Sequence, residues 1–162
     1  MTVLLIFAII LAIAIPSYRD YLVRARLVEV LNVLEAHIKE AEKGYLNNGA
    51  TPSSVLSIPN QTFTAYTNSP YIAYIYYDDG STWTNQGAAM VQAVLSNTIG
   101  SSITGFTAGS SGTNNRVTMA FLANGDTMHT YCGSWVDDGT EVPLSYLPSG
   151  CQDDAFSTTV TG

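Results

Sequence analysis

Basic residues are nearly absent from most of this chain. Of its 6 lysines and arginines, Arg19, Arg24, Arg26, Lys39 and Lys43 fall within residues 1–43, and beyond them Arg116 stands alone. The first segment also carries five acids (Asp20, Glu29, Glu35, Glu40, Glu42) and is neutral; the remainder sets one base against eight acids and holds the whole formal charge of -7. Nucleic-acid binding rests on lysine and arginine displacing counterions from phosphates, so direct nucleic-acid binding is disfavoured, as is adhesion of this region to an anionic lipid surface. Charge of either sign is scarce, at 12% of residues or about half the usual share. Polarity comes instead from Ser, Thr, Asn, Gly and Tyr.

Recognisable arrangements of catalytic groups are missing as well. His37 falls on a helical stretch and His129 on a strand-like one, and with 2 cysteines no cluster has metal-ligand spacing. There is no G-x-S-x-G and no Gly-rich phosphate loop. Asp78–Asp79, Asp137–Asp138 and Asp153–Asp154 offer oxygen ligands of the kind calcium takes, but two of these pairs read "DDG", which is turn chemistry. "NQT" puts a weak glycosylation acceptor pattern at Asn60. The 10 tyrosines suit strands and partly buried interfaces. No enzyme, cofactor or metal is expected.

The chain does have an apolar run. "MTVLLIFAIILAIAI" passes 15 residues without charge before Pro16. As a signal peptide it lacks a basic start. As a membrane helix it is short, reaching about 22 Å against about 30 Å of hydrocarbon. From Ser17 to Tyr45 there is no proline and no glycine before Gly44, and Tyr21, Ala25, Val28, Leu31, Ile38, Ala41 and Tyr45 recur at spacings of three, four or seven, reading as one apolar stripe. Glu35–Lys39 and Glu40–Lys43 add helical charge pairs. "NNGATPSS" at 47–54 then stops the helix. A helix of about 45 residues is about 68 Å long, more than a globule of this size can cover. It should be kinked or locally unwound near Pro16, where proline removes a backbone bond and crowds the preceding turn. Its first half, apolar on every side, must be covered by lipid or by other copies.

The rest reads as sheet. "PYIAYIYYDDGS" suits a strand and a turn at Asp78, Asp79 and Gly80. Residues 88–96 are ambiguous between strand and short helix. Val117, Met119 and Phe121 alternate before an "NGD" turn, and Met128 to Tyr131 return toward Cys132. "SSITGFTAGSSGTNN" reads as an exposed, mobile loop. The fold class is α+β, a long N-terminal helix packed on an antiparallel sheet of about four strands. Its expected parts are an apolar helix half (1–22) and a head (23–162) made of amphipathic helix (23–47), connecting loop (48–70), sheet region (71–131), a cysteine-bounded loop (132–151) and a tail (152–162).

"AIAIPSYRDYLVRARLVEVL", with its proline, Tyr18 and Tyr21, Asp20 between them and Arg24 after, resembles the N-terminal helix of type IV pilins, the subunits of bacterial type IV pili. The likeness covers residues 1 to about 45. "TYCGSW" at Thr130–Trp135 and "YLPSGC" at Tyr146–Cys151 resemble that family's disulfide-closed C-terminal region. A Cys132–Cys151 bond would restrict the unfolded chain by roughly 3 kcal/mol, two buried free thiols being the alternative. The resemblance implies filament assembly through Met1, Val3, Leu4, Leu5, Ile6, Phe7, Ile9, Ile10, Leu11, Ile13 and Ile15, a helix break at Pro16, and stem packing by Tyr18, Tyr21, Val28, Leu31 and Ile38. Implied partners are copies of the chain in a helical homopolymer, the inner membrane before assembly, assembly machinery with separate ATPases, and a host surface or phage. Adhesion and twitching motility are the implied uses. A type II secretion pseudopilin or a minor pilin shares the helix; a membrane-anchored periplasmic enzyme or binding protein would need a constellation not found here.

Three departures stand out. Family members begin with a short segment bearing an N-methylated residue and a glutamate, so the resemblance implies roughly six residues before Met1, which would bring the apolar run to about 21. A helix-softening glycine commonly precedes the proline, where Ala8 stands. The tail Gln152–Gly162 continues past the last cysteine and is expected to pack on the surface or between subunits.

Overall fold

Most of the first 48 residues form a single rod. In the computed structural model, which describes residues 2–48, 59, 61–78, 88–100, 103, 115–124, 127–134 and 142–153, helix α1 runs over Thr2–Asn48. Its end agrees with the asparagine-rich stop signal. Helical backbone continues through Pro16, so the local unwinding expected there is absent. The proline leaves the Ala12 carbonyl without an amide hydrogen at position 16 to accept. Glu35 and Lys39 form the expected ion pair; among the described residues Glu40 and Lys43 do not.

A single antiparallel sheet packs on the second half of α1. Its strands are β1 (Thr64–Ala65), β2 (Ile72–Asp78), β3 (Ala88–Leu95), β4 (Arg116–Asn124) and β5 (Thr127–Ser134), hydrogen-bonded in chain order. A short helix, α2 (Asn97–Gly100), follows β3, and a 3-10 turn spans Leu144–Tyr146. Five strands replace the expected four because two residues of the presumed connecting loop pair with Ile75 and Tyr74 of β2. Asn124 pairs with Thr127, so β4 and β5 form the hairpin that "NGD" signalled.

The ambiguous stretch 88–95 is the central strand. Every residue of β3 is buried, which removes the alternation that marks a half-exposed strand. Ala89, Val91, Ala93 and Leu95 face the helix in the main core, whereas Ala88 and Met90 join Ala120 on the opposite face with Tyr76, Leu122 and Tyr131. That second face also holds Arg116, the lone basic residue beyond Lys43. Its guanidinium donates to Gln92 Oε1 at 3.1 Å and lies 5.8 Å from the Phe63 ring centre.

The helix face against the sheet is Val23, Leu27, Val30, Leu34, Ile38 and Ala41, all buried. Their spacings of four, three, four, four and three keep them on one side of the axis. The stripe expected from Tyr21 to Tyr45 shares only Ile38 and Ala41 with it; Leu31 and Tyr45 are partly buried against the core, and Tyr21 and Val28 are exposed. Steps of seven lag the helical repeat by roughly 20° each, and the whole Tyr21–Tyr45 series turns by about 120°. It therefore walks off one face onto another.

Cys132 and Cys151 are joined by a disulfide. Immediately after it, Asp153 pairs with β5 from both ends. Its amide donates to the Cys132 carbonyl at 3.0 Å, and its carboxylate accepts the Cys132 amide at 3.0 Å. The Gln152 amide group donates to the Leu144 and Leu147 carbonyls at 3.0 and 2.8 Å, tying down the 3-10 turn. Of the loop expected to be exposed and mobile, Ile103 and Asn115 are described and both are buried, Ile103 within the core. The rest of that loop lies outside the described residues.

Candidate assembly surface

Among the described residues, no strand packs beneath the helix upstream of Val23. Ile6, Phe7, Ile9, Ile10, Leu11, Ile13 and Ile15 are all exposed, Phe7 at 62% and Ile13 at 72%. Covering seven such side chains would release on the order of 10 kcal/mol, comparable to the entire stability of a small domain. The surface is uncharged, so nothing in it favours contact with water over contact with apolar partners. Among the described residues no helix is long and apolar enough to cross a membrane.

The predicted assembly residues divide by position. Val3, Leu4 and Leu5 lie in α1, and Met1 lies outside the described residues. Of the predicted stem residues, Ile38 is buried and Leu31 lies partly buried beside it, whereas Tyr18, Tyr21 and Val28 are exposed on the single chain. Asn60, Asp79, Asp137, Asp138 and Asp154 are outside the described residues. Asp78 is buried, its carboxylate accepting long hydrogen bonds from the Tyr76 hydroxyl and the Gln61 amide group, both at 3.5 Å.

Two open grooves run where the disulfide segment meets α1. One, of about 420 Å³, lies between Glu35, Lys39 and Glu42 on the helix and Thr130 and Cys151, over an apolar floor of Leu31, Ile38 and Met119. The other, of about 560 Å³, lies between Tyr21, Arg24, Ala25 and Val28 on α1 and the segment Ser145–Ser149. Pro148 borders both. A third hollow, about 480 Å³ and with mostly apolar walls, lies along Ala14, Ile15, Tyr18, Arg19 and Leu22. The exposed half of the expected stripe thus borders a groove instead of the sheet.

Sequence reasoning missed how the C-terminal segment reaches the helix. The Tyr146 hydroxyl donates to Asp20 Oδ1 at 3.3 Å, across 126 residues of sequence. Burial and then the neighbouring Asp20 charge push the Tyr146 phenol up, with Arg24 opposing, so the hydroxyl keeps its proton and serves as donor. By sequence Asp20 falls in the expected apolar helix half (1–22), and no local pattern names a partner so far along the chain.

No family model matches this chain. It is similar to the type IV major pilin protein PilE1 of Neisseria gonorrhoeae, with 23% identity over 94% of this chain and 89% of that protein.

Proposed function

We propose that this chain is a pilin, a structural and non-enzymatic subunit that polymerises through its N-terminal helix into an extracellular type IV filament. The observation that carries the reading is the uncovered apolar half of α1, which the chain's own head does not reach. The likeness to a major pilin along nearly the whole chain supports it. A contact between one copy's projecting helix and a different surface of the next does not close on itself, and repetition gives a helical filament. Before assembly the helix sits in the inner membrane, and assembly and retraction are driven by separate ATPases. The acidic head faces outward, where it serves attachment, twitching motility or phage reception.

Electron microscopy of material sheared from the cell surface, with antibody raised against the head, tests this. Labelling along filaments several nanometres wide is expected; filaments that lack the chain would reject the reading.

A further inference from the structure

We propose that Tyr146 and Asp20 form a brace that fixes the direction in which the apolar half of α1 leaves the head, making Tyr146 a positioning residue for subunit docking. The link to docking rests on the filament reading; the brace itself does not.

The brace acts by leverage. The first core residue of α1 is Val23, and the described side chains upstream of it are exposed except Leu22, which is partly buried. Among the described residues, Tyr146 to Asp20 is the one hydrogen bond from the head to the helix before Val23. The projecting rod from Thr2 to Asp20 is about 28 Å long, so a tilt of about 10° at its base moves its tip by about 5 Å. Packed helices lie about 8–10 Å apart, and a displacement of that size takes side chains out of the grooves that receive them. Between brace and tip lies Pro16, the point where one backbone bond is missing and bending is easiest.

The head's end of the brace is held firmly. Tyr146 belongs to the 3-10 turn, its amide bonded to the Pro143 carbonyl at 2.9 Å. Gln152 secures the turn through Leu144 and Leu147, and the disulfide with the Asp153 pairing anchors Gln152 to β5. The C-terminal segment is therefore a strut from the sheet edge to the base of the rod. At 3.3 Å and on the surface, the Tyr146 contact is too long to contribute much to folding. A positioning role and a stabilising one are therefore separable by experiment.

Spin labels on Ile13→Cys and Asn97→Cys in the full chain, disulfide intact and in detergent, report the angle as a distance distribution. Tyr146→Phe and Asp20→Ala should broaden it measurably with the thermal midpoint unchanged. Asp20→Asn, which keeps an oxygen acceptor, should restore the parent width. An unchanged width in Tyr146→Phe would overturn the brace, as would a widening matched by a fall in the midpoint. Filament yield from the same substitutions in the chain without the spin-label cysteines should fall several-fold with Tyr146→Phe and recover with Asp20→Asn; parental yield from a widened subunit would sever the link to docking. The distances are read on single subunits, so failure to form filaments and failure of the brace give different results.

Discussion

At position 133 a side chain would collide with backbone. A Cβ there would lie 2.6 Å from the Asp153 carbonyl oxygen, whereas at Gly150 nothing lies within 4 Å. Gly133→Ala should therefore push the post-cysteine segment off β5 and cost about 1–3 kcal/mol in chemical denaturation. Gly150→Ala should stay within about 0.5 kcal/mol. Nothing in "TYCGSW" reveals the difference, because the approaching backbone comes from beyond the second cysteine. His37 offers a second measurement at this scale. It packs edge-on against Tyr66, with ring centres 6.4 Å apart, and burial holds its imidazole below the usual histidine range, with Glu40 opposing. The unfolded chain then takes up a proton more readily than the folded one, so this residue lowers stability as pH falls through the ordinary histidine range. Above that range both states are neutral there. Thermal midpoints recorded from pH 7.5 to 5 should fall less steeply in His37→Gln than in the parent.

At the scale of elements, α1 has apolar residues on more than one side, and that is why its sheet-facing side was the hardest part to read. Its existence, its stop near Asn48 and the Glu35–Lys39 pair were legible from local chemistry. The facing was not, since apolar residues occur both toward the sheet at Leu27 and Leu34 and toward solvent at Tyr21 and Val28. Only the spacing from Val23 to Ala41 separates the two sides. Leu27→Ala or Leu34→Ala, each emptying a fully buried site, should cost about 2–5 kcal/mol of head stability by urea denaturation. Strand β3 was ambiguous for a related reason. Its composition of Ala, Met and Gln suits neither strand nor alternation, and its place between β2 and β4, core on both sides, settles the matter. The expected unwinding at Pro16 gave way because helical pairing resumes on both sides and only one acceptor is lost.

For the molecule as a whole, the buried core and the uncovered apolar surface are carried by different stretches of the same helix. Ile13→Asp should leave the urea midpoint of the single chain nearly unchanged, since the side chain is 72% exposed, yet abolish filaments as judged by sedimentation of sheared material. This division was foreseeable from the sequence, because fifteen uncharged residues, all but Thr2 apolar, ahead of a charged, amphipathic stem leave an excess no head of this size can hide. The grooves beside the disulfide segment were not foreseeable, since they arise from the meeting of chain ends.

The ends of the sheet carry one further consequence. Backbone groups on an unpaired outer strand attract strands from other molecules, and proteins restrain this with short or covered edges. Here β1 offers two residues, and at β5 Asp153 occupies both the amide and the carbonyl of Cys132. A subunit that grows by stacking rods would be poisoned by copies that joined sheet to sheet. The few residues after the last cysteine would then act as a guard that leaves end-to-end growth as the favoured route into a polymer.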